Sequence, residues 1–336
     1  MGGVYEGLFR WESRSKPVFF LSIPLQQAFP SPLTGEGRGE GEERGAFSRR
    51  RSILEKLRAR VQQLKKKRPG YGEILDFYQK VKEAQDKVKA SLKIGPIKLK
   101  KEWKELLAKE GFSLIQKEDF PVDIEVSIKL FQSLCQIGKE ANSHMAEQVE
   151  KINEAIDSKK IDLKKLLKVG ANEKKIEQVA AEFELDKKVF AFLVWNSIKP
   201  SIEAGMEQLP SELDSETWLK GHCPVCGSLP HLSLLREEVG KRYLICSFCG
   251  YSWRMDRLIC PFCNNEEQEF LQYFCGEGEE TYRINLCNKC HQYIKTIDLR
   301  ILGELDPSLE DLATLHLDIL ASQKGHKRPV PNPWTI

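Results

Sequence analysis

The chain has 336 residues, 41% of them hydrophobic and 30% charged, with a formal net charge of +3. That suffices for two domains of ordinary size with packed cores, and the near balance of charge excludes the strongly basic character of a general nucleic-acid binder. No stretch approaches the ~20 consecutive apolar residues of a spanning helix, so a soluble chain without membrane insertion is expected.

Residues 1–50 show neither helical nor alternating periodicity, and Pro30, Pro32, Gly35, Gly37, Gly39 and Gly41 mark a disordered, low-complexity tail. Its "SRSKPVFFLSIPLQQAFP" places basic residues before an apolar run, but Pro24 interrupts the run and no small-residue cleavage site follows. An export signal is therefore not expected. In the cytoplasm, the expected compartment, thiols stay reduced and C-x-x-C pairs bind metal more often than they form structural disulfides. The tail also raises the hypothesis of a later, non-Met start codon, because the next methionine is Met145. An intact mass that includes the whole tail refutes it.

From Ser52, a predicted N-cap, the chain reads as helices. The first ends at Pro69-Gly70, and a second runs through "EILDFYQKVKEAQDKVKASL" to Gly95-Pro96. After Pro121, Val126, Leu130, Leu134, Ile137, Ala141, Met145, Val149, Ile152 and Ile156 recur at spacings of three and four, which predicts one long amphipathic helix. Leu163, Leu166 and Leu167 suggest a short helix, and Asn172 caps another. Val189 to Trp195 is apolar all round, the mark of a helix at the centre of a bundle, and Pro200 should kink or divide it. Basic clusters such as "KKKRPG" and "KLKKEW" between Arg49 and Lys104 read as solvent-facing sides of these helices.

Beyond "LPSELDSETWLKGHC" the pattern turns to short alternating runs, "RYLIC", "YSWRM" and "QYIKTIDL", which read as strands. A last helix is expected from Asp306-Pro307 to Gly325, docking Leu312, Leu315, Ile319 and Leu320.

The strand region holds the pairs Cys223/Cys226, Cys246/Cys249, Cys260/Cys263 and Cys287/Cys290. Placing Cys223 over Cys260 aligns "CPVCGS" with "CPFCNN", and Cys246 over Cys287 aligns "RYLICSFCGYSW" with "YRINLCNKCHQYI". The region is a tandem duplication, and each copy has the spacing of a four-thiolate ribbon. Two cysteines separated by two residues in a tight turn can point both sulfurs at one centre, and two such turns complete a tetrahedron. Thiolates favour zinc or iron, and four protein ligands leave no open position for water. The pattern points to a structural or electron-carrying centre and away from zinc-activated hydrolysis. Disulfide or redox chemistry of the pairs is the alternative. A thioredoxin-like fold is rejected because the pairs sit between hairpin strands.

Cys135 reads as a core residue and Cys275 as an unremarkable hairpin thiol, while His222 and His291 flank metal cysteines as neighbours. Tyr243, Tyr251, Trp253, Tyr273, Tyr282 and Tyr293 with Arg242, Arg254 and Arg257 would suit a base-stacking surface. In small ribbons such aromatics more often form the core. No phosphate loop, nucleophile elbow or HExxH sequence occurs.

A helical region followed by "CPVCGSLP", "RYLICSFCGYSW", "CPFC", "LCNKCHQYIKTID" and "DLATLHLDILA" resembles the formate dehydrogenase accessory protein family, FdhE, over about residues 52–325. The resemblance implies an α+β multidomain protein: an all-α N-terminal domain, two tandem rubredoxin-like or zinc-ribbon β subdomains and a C-terminal helix. With the residue patterns above, the expected boundaries are a tail at 1–50, helical domain 51–212, first ribbon 213–256, second ribbon 257–300 and C-terminal helix and tail 301–336, the N-terminal tail having no counterpart in the resemblance. It further implies a non-enzymatic, cytoplasmic maturation factor that binds the formate dehydrogenase catalytic subunit. One thiolate-bound iron or zinc per ribbon is implied on the eight paired cysteines, iron making the site redox-sensitive. Dimerisation is left open. The competing classes are a ribbon-type nucleic-acid binder and a thiol electron-transfer enzyme, and the partner face is sought in the groove between helices and ribbons, near Trp195, Trp218 and Trp253.

Overall fold

The computed structural model describes residues 40–97, 99, 102, 111–209, 218–303 and 305–335, with side chains from residue 53. Most of the expected tail lies outside these residues. The first helix, α1 (Glu40–Lys67), begins a dozen residues before the expected cap at Ser52. It is followed by α2 (Gly72–Lys89), α3 (Ile124–Lys139), α4 (Ser143–Asp157), α5 (Leu163–Lys168), α6 (Glu173–Glu182) and α7 (Lys187–Met206). Asx residues start most of them: Asp123, Asn142, Asp162, Asn172 and Asp186 each accept a first-turn backbone N–H.

The long amphipathic helix is two helices. Asn142 Oδ1 accepts the N–H of Met145 at 2.8 Å and restarts the chain as α4, which folds back on α3. Apolar spacing stays in phase across residues 140–142, so periodicity alone joins them. Gly138 lets the pair close, since a Cβ there would lie 3.1 Å from Met145 Cε.

Helix α7 is the centre of the bundle, as its all-round apolar sequence predicts, with Phe190, Leu193 and Ile198 fully buried. It runs through Pro200 undivided. A proline inside a helix orphans the carbonyl four residues earlier. Here Gln85 Nε2, from α2, donates to that Asn196 carbonyl at 3.0 Å and to Asn196 Oδ1 at 3.1 Å.

Six strands form one sheet in the order β3-β2-β1-β6-β5-β4. They are β1 (Pro230–Arg236), β2 (Lys241–Cys246), β3 (Ser252–Arg254), β4 (Leu271–Phe274), β5 (Tyr282–Cys287) and β6 (Gln292–Asp298). Each half is antiparallel, and the halves meet along parallel β1 and β6, from Leu232↔Lys295 to Leu235↔Asp298. The first strand of one copy thus pairs with the last strand of the other, a head-to-tail relation along the sheet.

The expected last helix is broken. After α8 (Leu299–Leu302), α9 (Pro307–Leu312) and α10 (Leu315–Gln323) are separated at Ala313–Thr314. The carbonyls of Asp311 and Thr314 turn to the fully buried Lys295 Nζ at 2.9 and 3.1 Å, and Thr314 Oγ1 bonds back to Glu310 O at 2.8 Å. These bonds compete with helix continuation. Leu309, Leu312, Leu317 and Ala321 are buried, whereas Ile319 faces solvent at 58% exposure.

Lys295 also pairs with Asp311 at 2.7 Å and Asp318 at 2.6 Å, and Arg328 closes on Asp311 at 2.8 Å. This buried network ties α9, α10 and the C-terminal segment to the central strand β6. From α1, Arg60 forks onto Glu310 at 2.7 and 2.8 Å. Trp334 returns to the bundle, packed on Tyr78, Phe192 and Phe77 at ring distances of 4.4, 5.2 and 6.2 Å. Among the described residues no helix is long and apolar enough to cross a membrane.

Candidate metal centres

The duplication brings each predicted quartet of cysteines together. In the first, Cys223, Cys226, Cys246 and Cys249 are all buried, and in the second Cys260, Cys263, Cys287 and Cys290 converge. Within each quartet every sulfur lies within 4.8 Å of the others. Sulfur separations are 3.3 Å for Cys226–Cys246, 3.6 Å for Cys223–Cys249 and 3.7 Å for Cys226–Cys249. In the second quartet Cys263–Cys287 is 3.7 Å and Cys260–Cys290 is 3.8 Å. A tetrahedron with metal–sulfur bonds of about 2.3 Å has edges of about 3.8 Å. Both quartets therefore fit a tetrahedral thiophilic ion, and each could hold one. The distances are well beyond the ~2.05 Å of a disulfide.

The same local device builds all four knuckles. The residue after the second cysteine of each pair takes a left-handed conformation: Gly227 (φ 73°), Gly250 (φ 74°), Asn264 (φ 56°) and His291 (φ 54°). Gly, Asn and His are the types that tolerate it best. Its turn closes with hydrogen bonds such as Gly227 N–H to Cys223 O at 2.9 Å and His291 N–H to Cys287 O at 2.8 Å. His291 is thus explained by its backbone, and its exposed ring is no ligand. In the second knuckle, Phe248 and Cys249 N–H both point at Cys246 Sγ at 3.4 Å, where they would stabilise thiolate charge. Hydrogen bonds from Cys223, Cys246 and Cys249 hold the Cys226 thiol well below its ordinary value, while burial pushes Cys223 up.

The two quartets differ in surroundings. The first lies in an apolar cluster between bundle and sheet with Ile115, Phe120, Ile202, Trp218, Phe248 and Trp253. The backbone of Leu114 and Ile115 pairs with Pro224 and Val225 of its first knuckle at 3.0 and 2.9 Å. In the second, Cys263 is exposed and Cys290 half-buried. Gly221, entering the first ribbon, presses against the second ribbon's knuckle: a Cβ there would lie 1.8 Å from Pro261 O. Arg242 holds the connection, donating to Ile259 O at 2.7 Å and Met255 O at 3.3 Å.

The other singled-out residues find structural places. Trp253 is fully buried with Nε1 donating to Lys220 O at 2.9 Å, and Trp218 donates to His222 O at 2.7 Å. Tyr282 and Tyr293 are buried with hydroxyls on Glu310 (2.5 Å) and Asp318 (2.9 Å). These rings are not free to stack on bases. Of the three tryptophans sought in a groove, only Trp195 is partly exposed. Cys135 is buried in the bundle, which pushes its thiol up to about 12. His222 Nε2 lies 3.4 Å from Gly111 O. Sequence reasoning missed Lys295, whose strand setting in "QYIKTIDL" resembles an outward-facing residue.

Residues 222–257 match the family model described as FdhE, central domain, and residues 258–335 match FdhE, C-terminal domain. The chain is 28% identical over 270 residues to the Protein FdhE homolog of Aquifex aeolicus, spanning 79% of this chain and 89% of that protein. It is 29% identical over 209 residues to the Haemophilus influenzae homolog, covering 61% of this chain and 65% of that one. The crystal structure of the FdhE protein from Pseudomonas aeruginosa shares the fold, with a TM-score of 0.61 at 22% identity over 84% of this chain and 96% of that chain. Two adjoining FdhE domain models thus cover residues 222–335, which hold both thiol quartets and the C-terminal helices, and over this part the chain is similar to the FdhE family.

Proposed function

We propose that this protein is a cytoplasmic, non-enzymatic accessory factor that binds the catalytic subunit of a formate dehydrogenase during its maturation. The observation that carries the reading is the pair of complete cysteine quartets inside the matched FdhE domains. Cys223, Cys226, Cys246 and Cys249 would hold one ion, and Cys260, Cys263, Cys287 and Cys290 the other, each iron or zinc. Bound ions would supply the cross-links that small hairpins need in place of a large core. With four protein thiolates per ion no position remains for a substrate, which favours binding over hydrolysis. Iron would add a one-electron change of charge in the ribbon, a means of reporting redox state to the partner.

The test has two parts. Anaerobically purified protein should carry two thiophilic ions per chain, iron giving thiolate-to-metal absorption. It should also bind the purified catalytic subunit in sedimentation experiments. Failure to bind the subunit in its apo and cofactor-loaded forms sinks the accessory role. Zinc alone in both sites refutes the redox element and leaves a structural scaffold.

A further inference from the structure

Strand β2 carries Cys246 of the first quartet and, four residues earlier on the same face of the sheet, the buried Arg242. The guanidinium gathers the carbonyls of the loop that leads into the second quartet. Its Nη2 donates to Ile259 O at 2.7 Å and to Asp256 O, and its Nε to Met255 O at 3.3 Å. The carbonyl of Arg242 in turn accepts the Met255 N–H at 3.1 Å, so main chain and side chain both clip this loop to β2. Ile259 immediately precedes Cys260. A second link is Gly221, two residues before Cys223, which abuts Pro261 O inside the Cys260/Cys263 knuckle. Both links run from an element bearing first-quartet cysteines to the same knuckle of the second quartet.

The clip is also a charge. Among the described residues Arg242 is in no ion pair, and with Ile259, Cys260 and Cys287 it lines one recess of about 490 Å³. Burial pulls the guanidinium below its ordinary value, to about 10, and Arg257, which lines the same recess, acts in the same direction; of the groups that oppose this, Cys260 comes first and the exposed Asp256 second. Four thiolates around a divalent or trivalent ion leave a centre net negative. A buried cation beside one of its ligands favours both the filling of that centre and, for iron, its reduced and more negative form.

We propose that Arg242 couples the two metal centres. It is a positioning residue: an ion in the first quartet fixes the end of β2 through Cys246, and from that strand Arg242 holds the Cys260 knuckle in place and sets its charge beside it. Filling either quartet then raises the affinity of the other by the same factor. This rests on the reading of both quartets as metal centres and adds that they fill cooperatively.

The experiment uses the full-length chain loaded with zinc, in competition with a chromophoric chelator that reads the affinity of each ion. Arg242→Met should weaken one ion by at least about tenfold, as removal of a residue supporting a metal ligand does. The tighter ion, read after the weaker has left, should keep its affinity. Cys249→Ser, which breaks the first quartet, should weaken the ion of the second, and in the Arg242→Met background it should do so clearly less. Reconstituted with iron, the chain should show two reduction midpoints. Arg242→Met should move one of them to a more negative potential and leave the other, and Arg242→Lys, which keeps the charge without the fork, should restore it. Loss of packing alone does not produce that split. Helical content and thermal midpoint report folding; where Arg242→Met does not fold, the neutral donor in Arg242→Gln supplies the same comparisons. Unchanged affinity of both ions in Arg242→Met, an equal cost of Cys249→Ser in both backgrounds, or midpoints indifferent to the charge at residue 242 overturns the proposal. Two ions that bind independently leave the metal reading standing, whereas a chain that retains no thiophilic ion in either quartet refutes that reading as well.

Discussion

Single side chains settle points that pattern cannot. Pro200 lies in a helix because Gln85 takes the carbonyl that the proline orphans. Gln85→Leu should therefore destabilise the bundle by about 1–3 kcal/mol, the cost of an unsatisfied buried acceptor. In a Pro200→Ala background, which restores the helical N–H, the same change should cost clearly less; a double-mutant cycle in urea measures the difference, and additive costs would refute the pairing. His231 sets a second test. Burial depresses its imidazole from 6.5 to about 4. The unfolded chain then binds the extra proton first, so this residue's contribution is constant above pH 6.5 and is lost as pH falls towards 4. His231→Gln should lessen the acid-side decline relative to the unsubstituted chain, with thiol protonation common to both. The metal cysteines were legible because their spacing is itself the geometry. Gln85 and Lys295 were not, since a polar residue in an amphipathic pattern reads as solvent-facing until its distant partner is known.

Helices and strands were legible as far as their signals are local. The caps at Asn172 and Asp306, the all-apolar run of α7 and the strands flanking the cysteines all follow from neighbouring residues. The break between α3 and α4 was missed because apolar phase continues through it, although Asn142 three residues before Met145 was a usable cap signal. The break between α9 and α10 depends on Lys295 of a strand, and no local pattern contains it. The contact between the ribbons is likewise non-local, and it is tight. Gly221→Ala would drive a methyl group into the Pro261 carbonyl. A loss of more than about 2 kcal/mol is expected, since backbone must move to relieve the overlap. Crosslinking between the ribbons should fall as well. A neutral Gly221→Ala change in a thermal melt would show that the knuckles do not abut.

At the scale of the molecule, the two metal centres should not behave alike. The first quartet is sealed between bundle and sheet, while Cys263 in the second is open to solvent. A chelator with a thiophilic-metal indicator should therefore release one ion per chain quickly and the other only as the fold opens. Cys263→Ser should remove the fast phase alone; a single phase for both ions would contradict the asymmetry. The join between halves was beyond sequence reading because parallel pairing of β1 with β6 links segments some sixty residues apart.

That join and the seat of Trp334 set an order of completion during synthesis. The first ribbon can gather its four thiols once residue 249 has left the ribosome, yet its β1 edge stays unpaired until β6 is made. The bundle, complete in its described helices by residue 206, still lacks the indole that packs on Tyr78 and Phe192 until residue 334 is made. A nascent chain thus keeps one open strand edge and one unfilled hollow, both of which a chaperone can read as unfinished. A chain stopped short of Trp334 keeps that hollow open, so such shortened products are exposed to proteolysis before they can compete with longer ones for a partner.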